Sequence, residues 1–343
     1  MNYQRNYVQN LVNGFMSTMV IYAGCELGIF DVLKSEKKTV EELSQYLGIT
    51  SSDLLRLLRP LEQYKLLKIE GREITLSDSG RILTADDSDS LKPYALFCGR
   101  ESLKAWSCIY PALKEKVRPI ELMNQLGIFH DMEENSERFQ TFNGMMSSVS
   151  KQMNLNEFFR AFLGKNEAIK IADVGGGTGS IIQKFLEYYQ NAVGVILDLP
   201  QAKESALENL KKANLDKRCA FEETDFFQKI KTEADVYILS RVLHDWQDSE
   251  AEEILKNVAD SMGEDSYLVV LEEIIRQADE PNAMRSYMND IQMWVLCDGK
   301  ERTLQEFSSL FEKVGLKIQQ VFDTEEGTAV IIVVKDNEEM GEI

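Results

Sequence analysis

Ile171-Ala172-Asp173-Val174-Gly175-Gly176-Gly177-Thr178-Gly179 is an apolar run that meets an acid and then enters four glycines. Such a run reads as a strand delivering a tight loop, free of side chains, to a ligand, because glycine lets backbone approach closely. Ser180 to Tyr189 follows with Ile181, Ile182, Phe185 and Leu186 at helical spacing. Strand, glycine loop and helix aim loop N–H groups and a helix N-terminus at one place, a nucleotide-type site in an α/β fold.

Spacing narrows the ligand. A dinucleotide fingerprint starting at Gly175 needs glycine at position 180, where Ser180 stands, and no Gly-Lys-Ser/Thr follows for a phosphate-cradling loop. What remains is G-x-G-x-G with Asp173 before it. About twenty residues on, as in other nucleotide folds, a second apolar run, Val193-Gly194-Val195-Ile196-Leu197, ends in Asp198. A carboxylate there suits the two hydroxyls of a ribose, each of which can donate to it.

The 343 residues suggest two domains. The net charge of −19 argues against nucleic acid, which needs clustered Lys and Arg. Five scattered cysteines, Cys25, Cys98, Cys108, Cys219 and Cys297, form no C-x-x-C, so neither a disulfide framework nor a zinc site is expected. No signal-peptide pattern and no membrane-length apolar run are visible, so a soluble, cytoplasmic protein is expected.

Val8, Leu11, Val12, Phe15 and Met19 fall on one stripe of an N-terminal helix. Thr39-Val40-Glu41-Glu42 is a capping box whose helix ends near Gly48; another starts at Ser51 or Ser52, and a hairpin turns around Gly71. Helix, helix, hairpin is a winged-helix outline, followed by helical patterns to about Phe162, as the spacing of apolar residues indicates. From Ile169 strands alternate with helices: 169–174, 193–197, 219–222, 236–239, 267–271, 317–322 and 329–334. That rhythm predicts a parallel, doubly wound, Rossmann-like sheet. The boundary falls at Gly164-Lys165-Asn166, giving a mostly helical domain over 1–165 and the sheet domain over 166–343, with the acidic tail from Asp336 read as a frayed end.

The chain has two histidines. His244, in Ser240-Arg241-Val242-Leu243-His244-Asp245-Trp246, follows a strand at the sheet edge where ligands bind, and imidazole accepts a proton near neutral pH. His130 has no such setting and reads as structural. Glu272 follows the strand 267–271, and Glu301 precedes a helix beginning at Thr303. Either could orient the imidazole, or be a solvated charge or, for Glu301, a helix-dipole partner. The Met- and aromatic-rich stretches 139–153 and 284–296 read as core.

In order, Asp173–Gly179, Asp198-Leu199-Pro200, Thr224-Asp225-Phe226-Phe227, Leu243-His244-Asp245-Trp246 and Gly299-Lys300-Glu301-Arg302-Thr303 resemble the small-molecule O-methyltransferases related to plant caffeate and animal acetylserotonin methyltransferases. The resemblance spans essentially the whole chain. It implies a class I methyltransferase of secondary metabolism with S-adenosylmethionine as cofactor. Asp173, Gly175 and Gly177 would hold its methionine and ribose end, Asp198 with Leu199 the ribose hydroxyls, and Asp225, Phe226 and Phe227 the adenine. Ser240 stands where some relatives have lysine, and Arg241 is like its counterpart in the acetylserotonin enzymes. His244 would be the general base, flanked by Glu272 and Glu301, acting on a hydroxyl, expected to be phenolic, of a small aromatic molecule. The winged-helix half would serve homodimerisation and substrate enclosure. No metal is required, and the acidic ligand cluster of cation-using relatives is not evident in the sequence. Open alternatives are a carbon or nitrogen acceptor, a non-methylating reaction assisted by S-adenosylmethionine, and a winged-helix regulator with a ligand-sensing domain.

Overall fold

The computed structural model describes residues 2–123, 136–164 and 168–336; His130, Lys165, Asn166 and the tail after Asp336 lie outside them. The chain packs as two compact units, Met1–Ser107 with Ser136–Val149, and Cys108–Asn135 with Ser150–Ile343.

In the first unit the expected N-terminal helix is two helices, Asn2–Val12 and Gly14–Glu26, parted at Asn13. Asn and Gly are both weak helix formers, so the pair Asn13-Gly14 is a natural break. The capping box forms: the Glu42 N–H donates to Thr39 Oγ1 at 3.2 Å and the Thr39 N–H to Glu42 Oε2 at 2.8 Å. Helix Val40–Leu47 then stops at Gly48 with φ +69°. Helix Ser51–Gln63 is capped by Thr50 and buries Leu54, Leu58 and Leu61 on one face. Strands β1 (Lys38–Thr39), β2 (Leu67–Glu70) and β3 (Glu73–Leu76) form an antiparallel sheet in the order β1-β3-β2. The winged-helix outline is therefore present, with Ile29, Phe30, Leu43, Leu58 and Ile74 in its core.

The second unit is built on seven strands: β4 (Lys170–Val174), β5 (Val193–Asp198), β6 (Cys219–Glu223), β7 (Val236–Ser240), β8 (Tyr267–Glu273), β9 (Leu316–Asp323) and β10 (Thr328–Lys335). Their order is β6-β5-β4-β7-β8-β10-β9. The expectation of a parallel sheet holds except at β10, which is antiparallel to both neighbours. The physical reason is the short turn from β9: a parallel crossover needs a dozen or more residues, whereas a hairpin needs a few. Helices cover both faces. Ile254, Leu255, Phe307 and Phe311 pack on one. Ile182, Phe185, Phe158 and Phe159 pack on the other, so helix Asn156–Phe162 belongs to the sheet's own core.

Helix Ala283–Cys297 departs from the sequence reading. Its composition predicts core, yet Met284 and Met288 are 71% and 43% exposed, and only Ala283, Ser286, Val295 and Leu296 are buried along it. Among the described residues no single helix is long and apolar enough to cross a membrane, although the bent pair Gly14–Glu26 and Ile29–Ser35 together reach that length.

Tyr7, Leu11, Phe15 and Met19 remain more than a third exposed, a contiguous apolar stripe of the kind that marks an interaction surface. If a second copy covers it, replacing Leu11 and Phe15 by lysine should leave the melting temperature within a few degrees and convert the protein to monomer. Light scattering that finds an unchanged dimer would place the dimer interface elsewhere.

Candidate active site

The ligand-facing edge of the sheet begins with the glycine loop. Gly175, Gly177 and Gly179 have φ of +69°, +53° and +76°, a region that L side chains resist. At Gly175 a Cβ would lie 2.9 Å from Val242 Cγ2, so the loop packs directly against the segment leading to His244. Nothing lies within 4 Å of a Cβ at Gly177, which leaves that part of the loop open. Asp198, at the end of β5, accepts from Gly177 N and Leu199 N, each at 2.6 Å. Burial raises its carboxyl above the ordinary value, against those two hydrogen bonds. Asp173 is buried beneath the loop with Oδ2 accepting from Ile182 N at 3.3 Å and Oδ1 without a hydrogen-bond partner among the described residues. Burial pushes its carboxyl up to about 7.

Beyond β6 an aromatic cluster closes the edge. Phe226 lies 5.1 Å from Phe227 and 6.2 Å from Trp246, and Phe227 lies 4.7 Å from Trp246, between ring centroids. Asp225 is exposed and its Oδ1 accepts from Phe227 N at 2.9 Å. Asn257 donates to the Phe226 carbonyl at 3.0 Å, fixing the loop to helix Asp248–Ser261.

After β7 the chain turns sharply. Ser240 Oγ is buried without a hydrogen-bond partner among the described residues, and Arg241 takes the left-handed φ of +55°. The next two N–H groups, of Val242 and Leu243, donate to Glu272 Oε1 at 3.0 and 2.8 Å. This builds the short 3₁₀ turn Leu243–Asp245 that carries His244. His244 Nδ1 lies 2.9 Å from Glu301 Oε1 and 3.4 Å from Glu272 Oε2. The two glutamates thus divide the work: Glu272 shapes the turn, and Glu301 makes the short bond to the ring. Glu301 does not start the following helix, because Thr303 caps it with its own box to Glu306.

Two positions without an assigned role in the sequence hold this arrangement. Arg302 is fully buried and donates to Asp248 Oδ1 at 2.9 Å, to the Leu243 carbonyl at 2.7 Å and to the Trp246 carbonyl at 2.8 Å, straddling His244. Asp290 accepts from Glu301 N at 3.0 Å. Gly299 admits the contact, since a Cβ there would lie 1.9 Å from the His244 carbonyl oxygen. Arg302 stands in a quoted motif, but no spacing rule says where a single arginine donates. Asp290 is hidden in a stretch that reads as apolar core.

Burial opposes charge on the His244 ring, but the charges of Glu272, Glu301 and Asp245 outweigh it and raise its pKa to about 10. Burial raises Glu272 to about 7 and Asp245 to about 6. The ring therefore rests protonated at neutral pH. An acidic cluster, not evident in the sequence, is assembled by folding: ligand atoms of His244, Glu272 and Glu301 lie within 4.8 Å of one another.

A parallel-centred sheet with a glycine loop, an acid ending the second strand and a carboxylate-bound histidine at one edge defines a methyltransferase-type site. Residues 112–317, more than half of the 343, match the O-methyltransferase domain family, and residues 9–85 match its dimerisation domain. The chain belongs to the O-methyltransferase family, whose methyl donor is S-adenosylmethionine. It is 27% identical over 322 residues to a phenazine O-methyltransferase of Lysobacter antibioticus, covering 94% of this chain and 93% of that protein. It is 25% identical over 333 residues to a phenazine-1-carboxylate N-methyltransferase of Pseudomonas aeruginosa, covering 96% and 97%. Among solved structures, that of LaPhzM superposes with a TM-score of 0.90 at 26% identity, covering 97% of this chain and 99% of that one.

Asp173 supplies a test of the buried edge. A carboxyl raised in the folded state stabilises the fold below its unfolded pKa of 3.8, and that contribution is lost as pH rises through about 7. Asp173→Asn should therefore lose less stability than the wild type between pH 5 and about 8 in cofactor-free thermal melts. Parallel pH profiles would show that Asp173 is not buried as a strained acid.

Proposed function

We propose that the protein transfers the methyl group of S-adenosylmethionine to a hydroxyl of a small aromatic molecule, with His244 as general base. The observation that carries this reading is the 2.9 Å contact of Nδ1 with Glu301, which leaves Nε2, 3.7 Å from Asp245 Oδ1, as the ring nitrogen available to take a proton. On this reading the loop holds the methionine and ribose end over the open Gly177, with Gly175 packed on Val242 and Asp173 beneath the loop. Asp198, with Leu199 next to it, accepts from the ribose hydroxyls. Asp225 and Phe226 bound the adenine, Phe227 backs Phe226, and Ser240 and Arg241 close the edge after β7. The unit Met1–Ser107 with Ser136–Val149 serves homodimerisation, and the unit that holds the sheet binds the donor and does the chemistry, in a cytoplasmic enzyme of secondary metabolism. With a charge of −19 the chain is a poor nucleic-acid binder.

When bound, S-adenosylmethionine supplies a sulfonium methyl open to in-line displacement. The protein's task is alignment and removal of one proton. The carboxylates make His244 a strong base, but the ring must first release its resting proton to solvent. The proton then taken from the acceptor hydroxyl goes to Nε2, and Glu301 stabilises the imidazolium through Nδ1. No step is assigned to a metal ion.

A nitrogen acceptor is the second reading, favoured by the N-methyltransferase among the relatives. Incubation with S-adenosylmethionine and a panel of phenols and aromatic amines, read by mass for a gain of one methyl, separates the two.

Asp198→Ala should weaken binding of S-adenosylmethionine by about 1–3 kcal/mol, because the ribose hydroxyls are desolvated without an acceptor. Unchanged calorimetric affinity would remove Asp198 from the donor site. His244→Ala should cost about 10²–10⁴-fold in turnover with donor binding intact. In the wild type kcat/KM should rise with pH above neutrality as the ring deprotonates. Glu301→Gln should lower the rate and move that limb to lower pH, because the ring loses an anionic neighbour. A pH profile unmoved by Glu301→Gln would take Glu301 out of the catalytic group.

A further inference from the structure

Two buried carboxylates converge on one nitrogen of His244. Glu301 Oε1 lies 2.9 Å and Glu272 Oε2 3.4 Å from Nδ1, and the three ligand atoms all lie within 4.8 Å of one another. Glu272 is fully buried, and its Oε2, aimed at the ring, has no hydrogen-bond partner among the described residues. Glu301 Oε2 is buried and likewise lacks one. Carboxylates shut away from water need a counter-charge, and a single proton on Nδ1 has to serve both.

The spacing fits a metal ion as well as a proton. Zinc holds imidazole nitrogens and carboxylate oxygens at about 2.0–2.2 Å, and tetrahedral angles then set ligand atoms about 3.3–3.6 Å apart. Glu272 already stands at that spacing, and Glu301 is a few tenths of an ångström inside it. Each carboxylate is also held from behind. The other oxygen of Glu272 accepts from Val242 N and Leu243 N at 3.0 and 2.8 Å, and Asp290 accepts from Glu301 N at 3.0 Å. Across the ring Asp245 Oδ1 lies 3.7 Å from Nε2, on the side where a metal-bound histidine ordinarily offers its second N–H to a carboxylate. One imidazole with two carboxylates suits a transition-metal ion. Calcium asks for about six to eight oxygens and magnesium for a near-octahedral set of them.

We infer that His244 Nδ1, Glu272 and Glu301 form an inhibitory site for a divalent transition-metal ion such as Zn²⁺. The ion takes the place of the Nδ1 proton, which leaves to solvent, and the neutral ring then carries its remaining N–H on Nε2. A nitrogen that carries a proton cannot accept one, so the ion blocks the step assigned to His244 and leaves the donor site alone. That consequence rests on the general-base reading above, whereas binding of the ion does not.

The test titrates Co²⁺ alone into full-length protein that has been stripped with a chelator and desalted. The cluster is nearly closed to water, so each point is read at equilibrium. One equivalent should bind, give visible absorption bands of a low-coordinate ion and be displaced by Zn²⁺. Glu301→Gln and His244→Ala should each weaken binding at least about tenfold, since even a partner of a ligand is worth that much. Zn²⁺ should leave the affinity for S-adenosylmethionine unchanged, while methyl transfer falls in step with occupancy and returns on chelation. Absence of bound Co²⁺ in the wild type, or binding that neither variant weakens, overturns the site. Full turnover with the ion bound, or turnover that rises with it, overturns the inhibitory role. A protein that takes up Co²⁺ yet binds no S-adenosylmethionine would instead overturn the methyltransferase reading and leave the metal site standing. Should one variant not fold, the other and the wild-type spectrum decide.

Discussion

Arg302 is the constraint on which the His244 edge of the sheet depends. Its guanidinium is fully buried, and its three donors reach Asp248 and the carbonyls of Leu243 and Trp246, one on each side of His244. A planar fork of this kind fixes direction as well as distance, which a flexible ammonium does not. Because Arg302 follows Glu301 directly, the same clamp that holds the turn also delivers the carboxylate to the imidazole. The Ile275 N–H donates to the Arg302 carbonyl at 2.9 Å, so the clamp is joined to the end of β8, where Glu272 and Glu273 stand. Removing the fork would leave two carbonyls and a turn without support, in a place where burial denies them water.

The edge concentrates charge that the interior would ordinarily exclude. His244, Glu272 and Glu301 are buried, Asp245 is half-buried beside them, and Asp173 sits under the glycine loop. Among the described residues, oxygens without a hydrogen-bond partner remain on Asp173, Glu272, Glu273 and Glu301, that of Glu272 facing His244 Nδ1 at 3.4 Å. A protein pays in stability for such a site, and the two-sided apolar packing of the sheet, from Phe185 on one face to Phe311 on the other, is what offsets it. The strain at Arg241 belongs to the same pattern: a non-glycine residue in the left-handed region persists where its surroundings over-determine it, here between β7 and the hydrogen-bonded turn on Glu272.

The glycine loop and the acid that ends β5 were legible because they are local. Asp173 through Gly179 is a single strand and loop, and Asp198 follows at the distance one helix and one strand impose, so periodicity and glycine chemistry suffice to read it. The hairpin that reverses β10 was also written in the sequence, in the few residues between two apolar runs, although alternation alone suggested a parallel strand. Helix Ala283–Cys297 misleads for a physical reason: methionines and aromatics signal burial in general, and here Met284 and Met288 face outward while Arg285, Asn289 and Asp290 make the contacts that matter.

Local composition therefore determined the α/β sheet, the winged-helix outline, the glycine loop and the candidate histidine, because each rests on spacing within a few turns of chain. The tertiary structure alone decided which carboxylate meets the ring. Residues 244, 272 and 301 come from three separate elements, and only the alignment of β7 with β8 and the fork of Arg302 bring Glu301 to 2.9 Å and leave Glu272 to shape the turn. Distances between side chains far apart in sequence are fixed by packing, and packing is not a property of any one segment.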